Sequence, residues 1–209
     1  SVLLYNFNAA EDEIVMILEV KDLSFSYNAS EPVLRNICMQ AKKGEIVGIV
    51  GESGCGKSTL LKLLLRFWKK DSGEINYNNI DIEQINSSNL LDNVTMVSQV
   101  TYLFDDTIEE NLRIAKPDAT QSELEEACKL ASVHDFITTL PQGFQTRVGA
   151  LGDNLSAGEK QRIGLARAFL SGRELILLDE PTSNVDSINE GIILKALARQ
   201  KHKKSIILV

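Results

Sequence analysis

Apolar residues in this chain form short runs that are bounded by glycine, proline and polar residues. Strand-like composition is found at residues 14–27, 45–50, 74–80, 174–181 and 205–209. The segments EIVGIV and LILL within the second and fourth runs are almost continuously apolar, which is typical of parallel strands buried on both faces. The third run, after Asp-Ser-Gly, predicts a further hairpin strand.

Helical segments alternate with these strands. The stretch TLLKLLLRFW at 59–68 is rich in helix-favouring leucine. Capping boxes predict two helices in the middle of the chain, at 122–133 and at 157–170, and a further helix is expected at 188–200. Strands that alternate with crossover helices indicate a parallel α/β sheet, and the helix-rich stretch at about 100–170 indicates an insertion into it.

The overall charge limits the classes of partner. The 209 residues carry 22 basic and 29 acidic side chains, a net charge of −7. This balance argues against direct binding to nucleic acid or to an anionic membrane surface. Three cysteines without a C-x-x-C pair argue against a disulfide scaffold or a zinc site and favour a reducing compartment.

No segment of the sequence predicts membrane insertion. The chain has no apolar stretch of the roughly 18 residues that a transmembrane helix needs, and no signal peptide pattern at its start. It begins with Ser1 and stops in a strand-like run, so the sequence predicts an excised fragment that is soluble by itself.

A phosphate-binding loop is predicted between the second strand and the helix that follows. Gly51-Glu-Ser-Gly-Cys-Gly-Lys57-Ser58 matches the pattern G-x-x-x-x-G-K-[ST]. Its glycines allow backbone N–H groups to face a phosphate at a helix N-terminus. Lys57 is suited to β and γ oxygens and the Ser58 hydroxyl to Mg²⁺. The alternative is a glycine-rich turn. Within the loop, Cys55 fits a small loop-filling residue better than a reactive thiol near Lys57.

Two acidic residues follow the buried strand LILL. Asp179 lies at its carboxyl end, where open α/β sheets bind ligands, and is suited to hold Mg²⁺ through water. Glu180 is the candidate general base that activates the attacking water. The alternative is a pair of acids that simply begin a loop.

These motifs together resemble the nucleotide-binding domains of ABC transporters over residues 15–209. The most specific piece is Leu155-Ser156-Ala157-Gly158-Glu159 followed by KQRIGLARAF, which is similar to the LSGGQ signature and its helix. Ser156 and Glu159 also fit a plain capping box, and both interpretations can hold at once. Tyr27 resembles the adenine-stacking aromatic rather than an ordinary strand tyrosine. Gln99 resembles the Q-loop glutamine rather than a surface polar residue, and residues 183–186 resemble the D-loop.

The resemblance implies a P-loop NTPase fold of class α/β, with a parallel sheet, an antiparallel β lobe and an inserted helical subdomain. The implied division is a linker at 1–13, a core lobe at 14–98 and 171–209, and a helical subdomain at 99–170. The implied catalytic residues are Glu180, Lys57 and Gln99, and the implied metal ligands are Ser58, Gln99 and Asp179. The implied ATP-binding residues are Tyr27, Gly51, Glu52, Ser53, Gly54, Cys55, Gly56, Lys57, Ser58, Thr59, Ser156 and Gly158.

The sequence also departs from the family pattern. Ala157 and Glu159 replace a glycine and a glutamine of the signature, and Ala150 stands where exporters usually have glutamate. Asn184 and Val185 replace the more usual Ala-Leu of the D-loop. The family's switch histidine is expected directly after the last strand, beyond Val209, and neither His134 nor His202 is a substitute for it. None of the substitutions at 150, 157, 159, 184 and 185 removes a group that the chemistry needs, and the switch histidine is the larger gap.

The resemblance implies ATP hydrolysis that powers an exporter-type transporter, with ATP and Mg²⁺ bound. The implied partners are membrane domains, fused or separate, and a second nucleotide-binding domain in a head-to-tail dimer, at the cytoplasmic face of the membrane. The segments YLFDDTIEENL and TRVGALG resemble those that touch the membrane domains. The main alternative is a soluble ABC ATPase that acts on nucleic acid or ribosomes, and another is a regulatory module that binds nucleotide without turnover. A simple P-loop kinase is disfavoured because the signature would have no use in it.

Overall fold

The computed structural model describes residues 3–6, 15–28 and 31–209, with only the backbone described for 3–6. These residues fall into two compact units. The first, here called the strand unit, comprises Ser1–Thr95, Glu174–Asp179 and Lys201–Val209. The second, here called the helical unit, comprises Met96–Arg173 and Glu180–Gln200.

The described residues contain nine strands. In chain order they are β1 (Leu3–Asn6), β2 (Met16–Ser26), β3 (Pro32–Lys42), β4 (Ile46–Val50), β5 (Ser72–Tyr77), β6 (Ile80–Asp81), β7 (Val94–Val97), β8 (Leu175–Leu178) and β9 (Ser205–Leu208). Seven α-helices accompany these strands in the described part of the chain. They are α1 (Lys57–Leu64), α2 (Ser87–Asn93), α3 (Ile108–Arg113), α4 (Gln121–Leu130), α5 (His134–Thr139), α6 (Ala157–Leu170) and α7 (Ser187–Ala198).

The strands form two sheets. One has the order β1-β4-β9-β8-β7, in which β4, β9 and β8 are parallel neighbours. All four residues of β8 are buried, as the apolar run LILL predicts for a parallel strand covered on both faces. The other sheet is antiparallel, with the order β3-β2-β5-β6. The predicted fold class, a parallel sheet with an antiparallel β lobe, is confirmed.

One segment of the predicted linker is a strand. Backbone residues Leu3–Asn6 pair antiparallel with β4 and complete one edge of the parallel sheet. The sequence assigned these four residues to a linker, and the apolar pattern did not predict the strand, because an edge strand needs only a neighbour with free backbone groups and not a long apolar run. The remainder of that segment, residues 1, 2 and 7–13, lies outside the described residues.

The helical unit is organised around α6. Its apolar face is buried, and it packs against α3 and α4. Both predicted capping boxes are present, at Thr120–Glu123 on α4 and at Ser156–Glu159 on α6. None of the helices in the described ranges combines the length and the apolar character that crossing a bilayer requires.

A buried polar network fixes the segment before α3. Asn111, which is fully buried, donates from Nδ2 to the carbonyl oxygens of Phe104 and Thr107, at 3.0 and 2.9 Å. Arg167 on α6 donates to Asn111 Oδ1 and to the carbonyl oxygen of Tyr102, both at 2.6 Å. Burial lowers the pKa of Arg167 to about 10. These hydrogen bonds anchor the backbone of Tyr102 and Phe104, whose rings are exposed.

The division into units differs from the predicted one at Glu180–Gln200, which the sequence assigned to the core lobe. Helix α7 lies in this segment and packs with α6. The Arg162 guanidinium on α6 donates to Asn189 Oδ1 on α7, which is one of the contacts between these two helices.

Candidate functional site

The predicted phosphate loop in the strand unit leads directly into α1. Gly56 has the left-handed backbone conformation, with φ of 100°, and is the N-cap of the helix. A Cβ atom at this position would lie 2.8 Å from Leu34 Cδ2, a side-chain end that can shift, so it is the left-handed conformation that requires glycine. A glycine N-cap offers no side-chain acceptor, and the first N–H groups of α1 are therefore not capped by the residue before them.

Lys57 and Ser58 make the polar contacts of this loop. Lys57 Nζ donates to the carbonyl oxygens of Gly51 and Glu52, each at 3.0 Å, so the ammonium group lies across the mouth of the loop. Ser58 Oγ donates to Asp179 Oδ1 at 2.7 Å. The fold thus brings together a hydroxyl and a carboxylate that are 121 residues apart in the chain.

Tyr27 lies close to the same helix. Its phenol oxygen is 3.0 Å from Thr59 Oγ1, and the residue is 46% exposed. Its ring packs edge-on against Trp68, at 5.4 Å between centroids, and against Phe25, at 4.9 Å. An exposed aromatic surface therefore adjoins the phosphate loop. Trp68 was not singled out from the sequence, although a tryptophan beside lysines at the end of a predicted helix is a usable signal for a surface ring.

A second cluster lies within the helical unit. Gln99 Nε2 donates to Glu180 Oε2 and to Ser183 Oγ, both at 3.2 Å. The Ser183 hydroxyl in turn donates to the Glu180 carbonyl oxygen at 3.0 Å. Glu180 has a φ of 44°, which a residue with a side chain rarely adopts, and these contacts hold it there. Ser183 was predicted only as part of the D-loop, and its contact with Gln99 depends on the tertiary structure.

The predicted signature opens α6. The Ser156 side chain accepts the N–H of Glu159 at 3.3 Å, and Glu159 accepts the N–H of Ser156 at 2.7 Å. In this cap Ser156 Oγ is an acceptor, so the hydroxyl proton of Ser156 takes no part in the cap. Ser156 is exposed, whereas Gly158 is buried against the side chain of Asn189.

A cleft of about 320 Å³ within the helical unit joins three of the predicted segments. Its walls include Gln99 of the Q-loop segment, Ala157 of the signature and Asn184 of the D-loop segment. Gln99 is 58 residues from Ala157, and Ala157 is 27 residues from Asn184, so the fold brings three separate segments to one surface.

The residues suit a magnesium nucleotide. Mg²⁺ prefers oxygen ligands, uses one or two carboxylates and keeps several waters or phosphate oxygens. Ser58 and Asp179 offer a hydroxyl and a carboxylate already in contact with each other. Among the residues that the structure describes, no group of three or more His, Cys, Asp or Glu side chains could hold a metal by itself. With Ser58 and Asp179 as two oxygen donors, the other positions of an octahedral Mg²⁺ would be filled by phosphate oxygens and water.

The comparisons with known proteins agree with this chemistry. The sequence model of a family described as "ABC transporter" matches residues 34–183. A "Probable ABC transporter ATP-binding/permease protein" of Haemophilus influenzae is 53% identical over 202 residues, which is 97% of this chain and 36% of that protein. A "Fatty acid ABC transporter ATP-binding/permease protein" of Mycobacterium tuberculosis is 40% identical over 192 residues, 92% of this chain and 30% of that protein.

A solved structure is also similar. It is described as "Structure of a bacterial Atm1-family ABC exporter with ATP bound", with a TM-score of 0.84 and 33% identity. The match covers 96% of this chain and 35% of that one. The chain thus spans about a third of the length of the relatives and the structure that it matches.

Proposed function

Because this chain belongs to the ABC transporter family, as an ATP-binding domain homologous to exporter ATP-binding/permease proteins, we propose that it binds and hydrolyses ATP to drive export. The observation that carries this proposal is the contact between Ser58 and Asp179 beside the loop that Lys57 crosses. A hydroxyl, a carboxylate and an ammonium group are then together at an uncapped helix N-terminus, which is suited to a triphosphate and its metal.

The roles of the strand-unit residues follow from their chemistry. The backbone N–H groups of 51–59 bind the β and γ phosphates, and Lys57 leaves its two carbonyl contacts to bind the γ phosphate. A bound Mg²⁺ would neutralise phosphate charge; Ser58 and Asp179 are the residues that would hold it, and Gln99 keeps its predicted role as a further ligand. Tyr27 stacks on the adenine ring.

Glu180 is the proposed general base. Its carboxylate orients the attacking water and accepts its proton, while the Gln99 amide holds the carboxylate through the 3.2 Å bond. The left-handed backbone at Glu180, fixed by the Ser183 hydroxyl, sets the direction in which the carboxylate leaves the chain.

The proposed active unit is a two-fold dimer. Ser156 and Gly158 of one copy complete the nucleotide site of the other, since a helix N-terminus with an unused hydroxyl proton suits a γ phosphate. The second copy is a homologous domain, and homo- and heterodimers are both compatible with the sequence. The membrane partner is a permease segment, and the homologues' names describe proteins that combine the two functions. The domain then lies at the cytoplasmic face of the membrane.

The anchored pair Tyr102 and Phe104 is the proposed contact with that permease segment, together with residues 146–152. Their rings lie 4.9 Å apart, both are more than half exposed, and Asn111 and Arg167 hold their backbone. The family match and the homologues favour this function over that of a soluble ATPase acting on nucleic acid.

The Glu180→Gln variant tests the hydrolysis. Loss of the base should lower steady-state ATP turnover by about 10²–10⁴-fold, while ATP affinity is retained. Glu190→Gln, an exposed glutamate in the first turn of α7, is the matched control and should keep the parental rate. Near-unchanged turnover in Glu180→Gln would contradict the assignment.

The same variant tests the dimer. Because Glu180→Gln retains ATP, its mass measured by light scattering should double when Mg-ATP is added. A persistent monomer that binds ATP would contradict the shared site.

A further inference from the structure

Gly158 and Asn189 are in unusually close contact within the helical unit. A Cβ atom built on Gly158 would come under 3.0 Å from Asn189 Cγ, Oδ1 and Cβ, which side chains in folded proteins do not tolerate without a shift. Gly158 is buried by this contact. The absence of a side chain at Gly158 is therefore required by the protein's own α7.

Asn189 is in turn held by polar contacts on both sides. Its backbone N–H donates to Asp186 Oδ1 at 3.0 Å, and its Nδ2 donates to Asp186 Oδ2 at 2.6 Å. Its Oδ1 accepts from the Arg162 guanidinium. Arg162 is only 7% exposed and lies on α6, one turn beyond Gly158. The Asn189 amide thus joins the end of the D-loop segment to the first turns of α6.

We propose that Asn189 is a positioning residue for Ser156: its side chain sets where the first turn of α6 lies, through Gly158 and Arg162, and so places the signature hydroxyl. The inference rests on the proposed function, in which Ser156 completes the site of a second copy. Gly158 is two residues from Ser156 in the same helical turn, so a displacement at Gly158 moves Ser156 Oγ. Misplacement of a reacting or binding group by about 1 Å can cost about 10²-fold in rate.

A competing explanation assigns the need for glycine to the ligand. In that explanation, Gly158 has no side chain so that a phosphate or the second copy can approach α6, and Asn189 is a bystander. The two explanations differ in what happens when both positions are changed, because only the first makes the cost of a methyl group at Gly158 depend on Asn189.

The experiment is a double-mutant cycle in the 209-residue chain. Gly158→Ala is made in the native background and in the Asn189→Gly background, where the obstructing atoms are gone. Gly191→Ala, a helical glycine of α7 with nothing within 4 Å, and Ser187→Ala, an exposed neighbour of the same helix, are the matched controls. Melting temperature, ATP affinity by calorimetry, Mg-ATP-dependent turnover, and, in the Glu180→Gln background, dimer formation are measured for each.

We expect Gly158→Ala in the native background to lower turnover by about tenfold or more and to weaken dimer formation, with ATP affinity of the monomer unchanged. In the Asn189→Gly background, Gly158→Ala should lower turnover by about twofold or less. Gly158→Ala should also lower the melting temperature by about 2–10 °C, but only where Asn189 is present. Both control variants should keep the parental turnover.

If Gly158→Ala lowers turnover and dimer formation equally in both backgrounds, the inference is overturned and the proposed function remains intact. A cycle seen in melting temperature but not in turnover or dimer formation would also overturn it, because the contact would then be structural only. If the parent and both controls bind ATP but neither dimerise nor turn over, the proposed function itself fails, and this inference fails with it.

Discussion

Helices α1 and α6 both carry a motif at their N-terminus, but they begin in opposite ways. Helix α1 begins after Gly56, which has a left-handed backbone and no side chain to accept an N–H. Helix α6 begins after Ser156, whose side chain and that of Glu159 satisfy each other's backbone N–H groups. The N-terminus of α1 has no side-chain cap, whereas the capping box of α6 satisfies the N–H groups of Ser156 and Glu159.

The two helix N-termini suit different roles. That of α1 suits the binding of an anion, and that of α6 suits the placement of a side chain. The first N–H groups of a helix attract anions because they have no partner within the helix and lie at the positive end of its dipole. At α1 nothing from the preceding residue competes with a phosphate. At α6 the cap fixes the first turn in the absence of any ligand, which suits the proposed role of this helix in presenting a hydroxyl to a second copy.

The largest effect is expected at α1. Lys57→Ala removes the ammonium group that crosses the loop and should abolish ATP binding measured by calorimetry. Lys62→Ala, in the last turn of the same helix, is the matched control and should bind ATP normally. Micromolar ATP affinity in Lys57→Ala would show that the loop alone holds the phosphates.

The next effect compares α6 with α4, which has the same type of capping box. Ser156→Ala and Thr120→Ala each remove one cap, and each should cost about 1 kcal/mol of unfolding free energy, or roughly 2–4 °C in melting temperature. Only Ser156→Ala should lower ATP turnover as well. Equal turnover in the two variants would mean that the α6 hydroxyl has no role beyond capping.

A smaller effect is expected in acid at the α4 cap. The Glu123 carboxylate has a pKa lowered to about 2, first by its hydrogen bond with Lys116 and then by the Thr120 N–H. Its ordinary pKa is 4.5, so the stability it provides is present above that pH and is lost as the pH falls towards 2. Melting temperatures between pH 5 and 2.5, measured by circular dichroism, should therefore fall more for the parent than for Glu123→Gln. Parallel curves would contradict the assigned pKa.

The smallest effect concerns the three thiols. Cys38 is exposed, Cys55 is partly exposed in the phosphate loop, and Cys128 is buried with its pKa raised to about 12 by loss of hydration. A thiol reagent at pH 8 should modify Cys38 first, then Cys55, and Cys128 only after denaturation. Mg-ATP should slow the modification of Cys55 and leave Cys38 unchanged. Equal protection of both would indicate a global effect of the nucleotide rather than occupancy of the loop.

The sequence by itself determined the features whose signals are local. A capping box spans four residues, and both predicted boxes are present. The four apolar residues of LILL predicted a strand buried on both faces, and β8 is such a strand. Helix α6 has the predicted bounds, because its cap at one end and Ser-Gly at the other lie within the helix's own sequence. The phosphate loop could be predicted from the sequence because all its groups come from one short stretch of chain.

Only the tertiary structure decided the pairings between distant residues. Strand β3 was not predicted because its exposed face is polar. Its extended conformation depends on pairing with β2. Three such contacts join residues that lie 31 to 121 positions apart in the chain. They are Ser58 with Asp179, Asn111 with Arg167, and Gly158 with Asn189. Residue types alone do not encode such contacts, since their energy depends on distance and burial, and the packing of sheets and helices sets both.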